Sequence, residues 1–261
     1  MRTLLFAAAL TAAFRAEPDA RILRLITPET CKVAGIDSER YHQPNHAAHF
    51  PASTSGLLLD VPPESARVRG IITIASRDQP ELTILTGDFA PRIPAHHETW
   101  RAVSPEPGFL FIGEIEIVNA ALAAWRDTNR KPPAWAARIR EVSAAYDNWL
   151  VALDPIPGDR RGIAPAPMPY WDALRKSLQV ASFGIRLGAT HQGFAAAQMA
   201  TEDDALAVAA LARWLPGLLQ SGSDFAGLVE AAGNIQTRRH GTTVELTFDL
   251  NGDKIPKRSP Y

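Results

Sequence analysis

Thr243-Val244-Glu245-Leu246-Thr247-Phe248-Asp249-Leu250 is the stretch whose reading decides the fold class. Apolar side chains at 244, 246, 248 and 250 alternate strictly with polar ones at 243, 245, 247 and 249. That period of two places one set on a buried face and the other in water, as in a half-buried antiparallel strand. The residues from Ile235 onward supply its partner, so the chain closes on a strand pair. Working back from there, Thr201 with Asp204 three residues on marks a helix start. The helix carries Leu206, Leu211, Leu215 and Leu218, and Pro216 is expected to kink its last turn. Phe183, Ile185 and Leu187 alternate with Gly184, Arg186 and Gly188 as a strand, with Gly193–Met199 as its expected hairpin partner, though the alanines of that stretch also permit a helix.

The first half reads in the same way. Lys32–Asp37 is a strand, and Gly70-Ile71-Ile72-Thr73-Ile74-Ala75 is β-branched and nearly continuous, as a central strand should be. Leu82–Thr86 follows after a hairpin-length turn. A proline-bearing loop (Pro91, Pro94, Pro105, Pro107) leads to the strand Phe109–Ile112. Val118, Ala121, Leu122 and Trp125 recur at helical spacing, and so do Trp135, Ile139, Val142 and Tyr146. Trp149–Leu153 is a strand, and Trp171, Leu174 and Leu178 mark a short helix. Trp125, Trp135 and Trp149 fall on apolar faces and are expected in the core.

The expected fold class is therefore α+β: two ferredoxin-like βαββαβ units, each an antiparallel sheet with helices on one face. One larger sheet shared by both halves is the alternative. Residues 1–16 read as a signal peptide, 17–31 as a lead-in, 32–130 and 131–250 as the two units, and 251–261 as a polar tail. A proline-rich loop at 154–169 interrupts the second unit. The signal assignment rests on Arg2 followed by the apolar run Leu4–Phe14, too short for the ~20 residues of a spanning helix. The chain is expected to be exported, periplasmic or extracellular, with no membrane span after cleavage.

The bulk numbers narrow the partners. Twenty-seven basic residues against 28 acidic ones leave a formal charge of −1, so no overall field draws the chain to nucleic acid. Cys31 is the single cysteine, which rules out an intrachain disulfide. It reads as a small buried residue at a strand start.

Three stretches carry a likeness. They are Ile22–Pro28 running into Val33–Asp37, then Gly87–Ile93, and Asn234-Ile235-Gln236 with Thr242–Leu250. In them the chain resembles a family of uncharacterised exported bacterial proteins. The resemblance implies the α+β fold and export; it brings no activity, cofactor or catalytic residue. The prolines around Pro44 and Pro51 depart from the family pattern.

Candidate chemistry is sparse. His42, His46 and His49 lie within eight residues, and His96-His97-Glu98 forms a second cluster, so these five histidines are the candidate metal ligands. Pro44 falls within the His42–His49 window and is expected to start the helix, leaving His42 outside it. No G-x-S-x-G elbow, P-loop or G-x-G-x-x-G occurs, and Asp249–Asp253 fails the calcium-loop pattern at Lys254. Glu114 and Glu116, like Asp203 and Asp204, sit where helix starts favour acids. Trp100, Tyr170 and Trp171 border the two long loops and are the candidate ligand-binding aromatics. The reading leans away from an enzyme: an exported, non-catalytic binding or envelope-associated module, with no cofactor and a protein or small-molecule partner. The alternative is a metal-dependent hydrolase built on the histidine loops.

Overall fold

The computed structural model describes residues 19–37, 66–77, 79–89, 99–153, 176–188, 190–220 and 232–250. Helix α1 (Ala20–Leu23) leads into β1 (Thr30–Asp37), β2 (Ala66–Ser76), β3 (Leu82–Phe89), β4 (Trp100–Val103) and β5 (Phe109–Glu114). Helices α2 (Ile115–Arg126) and α3 (Ala136–Ala145) follow. Then come β6 (Asn148–Ala152), β7 (Leu178–Arg186), β8 (His191–Met199), α4 (Glu202–Gln220), β9 (Ala232–His240) and β10 (Thr243–Leu250).

The ten strands among the described residues join one sheet in the order β4-β5-β3-β2-β1-β6-β7-β8-β10-β9. Every ladder between them is antiparallel. The α+β class stands; the two ferredoxin-like units do not emerge from these ladders. A split βαβ arrangement keeps its first and second strands apart, with a later strand between them. Here β1 is flanked by antiparallel β2 and antiparallel β6. Strand order repeats nonetheless. Outward from the β1/β6 junction, each half runs first, second, third, fifth, fourth: β1-β2-β3-β5-β4 on one side, β6-β7-β8-β10-β9 on the other.

One face carries the main core. Ile72, Ile74, Ile84, Phe111, Trp149 and Val151 of the sheet meet Ile22, Leu23, Leu25 and Ile26 of the α1 segment. Val118 and Trp125 of α2, with Ile139 and Val142 of α3, complete it. The 19–26 stretch, expected as a lead-in, is thus part of this core. On the opposite face Ile71, Leu85, Ala102, Leu110 and Ile112 form a second cluster in the first half. In the second half α4 packs through Ala205 and Ala209 onto Met199 and Val244. Burial on both faces explains why β2 reads as a continuous apolar run.

Local signals behave as their chemistry dictates. Thr201 Oγ1 accepts from the Asp204 backbone N–H at 3.1 Å, the expected cap of α4. The Asp204 carboxylate in turn accepts from Ser177 at 2.5 Å and Thr201 at 2.6 Å, bonds that hold its pKa below the usual carboxylate value. Cys31 is buried in β1, its thiol donating to the Ala75 carbonyl at 3.5 Å. Trp125 and Trp149 are core residues and Trp135 is half-buried against it, as expected. One element differs from the sequence reading, β4, which lies within the stretch read as a proline loop. Of the short helix marked by Trp171, Leu174 and Leu178, residues 171–175 lie outside the described residues, 176–177 are helical, and Leu178 opens β7.

Candidate functional site

The candidate residues read from sequence are divided by the structure. His42, His46, His49, His96, His97, Tyr170 and Trp171 lie outside the described residues. Trp100 begins β4, the four-residue strand at one end of the sheet, and packs half-buried on the Ile71/Leu85/Leu110 cluster. Among the described residues, no group of three or more His, Cys, Asp or Glu side chains is arranged to hold a metal ion. Among them too, no helix is long and apolar enough to cross a membrane. Glu114 stands at the N-cap of α2 without a side-chain capping bond, and Glu116 lies in its first turn.

The feature that does stand out is the opposite end of the sheet. Strand β9 is nine residues long and, among the described residues, pairs with β10 alone and ends the sheet. From Asn234 to His240 every residue is exposed except Thr237, which is half-exposed. The sequence explains this: Asn234, Gln236, Thr237, Arg238 and Arg239 give the strand no apolar alternation, so neither face has reason to bury.

The β9/β10 turn sets which backbone groups point outward. Gly241 and Thr242 form a two-residue loop, with Gly241 at φ 57°, the left-handed geometry a type II′ turn requires at that place. In such a hairpin the flanking pair, His240 and Thr243, exchanges both backbone hydrogen bonds, and every second pair repeats this. Arg238/Glu245 and Gln236/Thr247 therefore face each other through hydrogen bonds. Thr237 and Arg239 direct their N–H and C=O groups away from the sheet. At the far end Asn234, at φ 52°, accompanies a bulge, and its side-chain amide donates to Asp249 at 2.8 Å.

Side chains follow the pairing. Arg239 lies opposite Val244, on the face that α4 covers; its guanidinium reaches Glu202 of α4 at 3.6 Å and the Gly241 carbonyl at 3.0 Å. Arg238 lies opposite Glu245 on the other face. Two large apolar side chains are exposed among the described residues, Leu206 (59%) and Ile235 (37%). They belong to α4 and β9, the two elements that border this edge. Sequence reading found β9 as a strand but not as an edge; its lack of alternation was the available signal.

No family model matches the chain, and no curated protein matches it. A solved structure of TP0453, a Treponema protein, in its crystal form IV, is similar over 89% of this chain and 93% of that one. The identity is 9% and the TM-score 0.49, a likeness too distant to carry an argument about this chain.

Proposed function

We propose that this chain is an exported, non-catalytic binding module that works through a sheet edge. The observation that carries the reading is the nine-residue β9, exposed from Asn234 to His240 except for half-exposed Thr237. It offers backbone donors and acceptors along a margin that among the described residues is paired on one side only. Such a margin is a template for strand addition, in which backbone bonds give affinity and alternate side chains give selectivity. Repetition of one strand order on both sides of β1/β6 supports reading the chain as two copies of a five-stranded unit. In that comparison β4, at four residues, is the blunted edge and β9 the extended one. Export rests on Arg2 and Leu4–Phe14 as an address removed from the mature protein.

Selection of displayed decapeptides against the purified protein tests the binding role. The Thr237→Pro variant serves as counter-selection, because proline there removes an outward N–H and leaves the β10 ladder intact. Peptides that bind the wild type and not the variant are expected; failure to enrich any such peptide contradicts the reading. Export is tested separately by fusing residues 1–30 to alkaline phosphatase. Activity is expected in the periplasm, and an inactive cytosolic fusion contradicts it.

A further inference from the structure

Resting on that reading of β9, we infer that its occupant is an acidic, extended peptide segment added as an eleventh strand. Arg238, Arg239 and His240 stand consecutively on β9, and none of its nine residues is acidic. In an added strand, directly opposite side chains sit ~5 Å apart, and like charges placed so destabilise while opposite charges stabilise. The nearby acids are one element further away. Glu245 and Asp249 are across the ladder on β10, Asp249 accepting from the Asn234 amide, and Glu202 on α4 is met by Arg239. Each guanidinium has five donors, so Arg238 can serve Glu245 on its inner side and a carboxylate on its outer side.

Consecutive arginines also point to opposite faces of the sheet, because strand side chains alternate. An acid-bearing strand can therefore meet Arg238 on one face and Arg239 on the other. On the α4 side, Ile235 and Leu206 offer apolar contact to the same segment. A second copy of this chain is disfavoured as occupant, since β9 against β9 brings two basic margins together. A nucleic acid or a lipid surface would use the arginines and leave the outward N–H and C=O groups of Thr237 unused.

The experiment is fluorescence anisotropy on the full mature chain with two labelled decapeptides. Both alternate threonine and valine in the same order, with glutamate at two adjacent central positions in one and lysine in the other. The glutamate peptide is expected to bind at least tenfold more tightly, more weakly as salt rises, and not to the Thr237→Pro variant. Arg238→Glu with Arg239→Glu is expected to reverse the preference. Equal binding of both peptides, lost in Thr237→Pro, overturns the acidic occupant while the edge reading survives. Binding of neither peptide, or binding unaffected by Thr237→Pro, overturns both. Sedimentation showing a dimer that Thr237→Pro dissociates names a second copy as the occupant and overturns the inference. An oligonucleotide or anionic vesicle that binds Thr237→Pro as well as wild type, and displaces the glutamate peptide, overturns it as charge adsorption alone.

Discussion

The indole of Trp149 occupies the place that a side chain on Gly35 would take. A Cβ built on Gly35 would lie 2.7 Å from Nε1 of Trp149, far inside van der Waals contact. The two residues face each other across the β1/β6 ladder, and Trp149 faces a second glycine, Gly184, across β6/β7. A row of glycine, tryptophan and glycine thus runs through the junction of the two halves. Trp149 is fully buried there, and its Nε1 has no hydrogen-bond partner. The same device recurs outward: a Cβ on Gly184 would lie 2.8 Å from Cβ of Tyr146, and one on Gly193 2.6 Å from Cδ2 of Phe248. Glycine in a strand weakens it, and an aromatic ring laid over the gap restores the buried area.

Gly35→Ala is therefore expected to destabilise the fold by about 1–3 kcal/mol, the range for overpacking a close-packed core. Combined with Trp149→Leu, it should cost less than the sum of the two single changes, because the smaller side chain leaves room. Urea denaturation of the four proteins measures this. An unchanged midpoint for Gly35→Ala would show that Trp149 does not occupy that space.

Arg21 fastens the first helix to the sheet. Its guanidinium bonds Asp19 at 2.5 Å, pairs with Glu106, and lies 5.0 Å from the ring centres of both Phe109 and Trp125. Arg21→Ala should cost about 1–2 kcal/mol, and Arg21→Lys should fall between, since lysine keeps the charge without the planar fork. Amide exchange at Ile22–Ile26 is the sensitive readout. Protection there equal to wild type in Arg21→Ala would contradict the role.

Asp19 predicts an acid dependence. Its hydrogen bond from Arg21 outweighs burial and holds its carboxyl below the usual value. A carboxyl lowered in the folded state stabilises that state at pH above its unfolded pKa, about 3.9. The contribution is lost as pH falls through the lowered folded value. Wild type and Asp19→Asn should therefore differ in stability near neutrality and converge as pH falls past the lowered folded value. A difference that is constant with pH would show that charge on Asp19 is not involved.

The cap of α4 offers a local test. Thr201→Ala removes the acceptor for the Asp204 N–H and should cost about 1 kcal/mol, while Thr201→Ser should restore most of it. Thermal melts of the three proteins decide. Equal loss in Ala and Ser would assign the effect to the threonine methyl instead.

Much of the element list was legible because periodicity reports burial directly. The alternation at Val244–Leu250 and the unbroken Ile71-Ile72-Thr73-Ile74 run predicted β10 and β2, and the spacing of Ile139, Val142 and Tyr146 predicted α3. What periodicity does not report is which strand lies beside which. The βαββαβ reading followed from element order, while the sheet is built by the β1/β6 ladder between residues more than a hundred positions apart. Short elements escaped for a related reason: Trp100-Arg101-Ala102-Val103 is too brief to show a period, and the helix Ala20–Leu23 is a single turn. The candidate site was half visible. Arg238-Arg239-His240 is a basic run in the sequence and Ile235 read as a strand start, but an edge is defined by the neighbour it lacks.

Amide exchange along β9, followed residue by residue by NMR on the unbound chain, tests the open edge most directly. Gln236, Arg238 and His240, bonded to β10, should be protected, while Thr237 and Arg239 should exchange at least tenfold faster. Equal protection of all five amides would show that the outer side of β9 is already occupied, and the proposed binding surface would not exist.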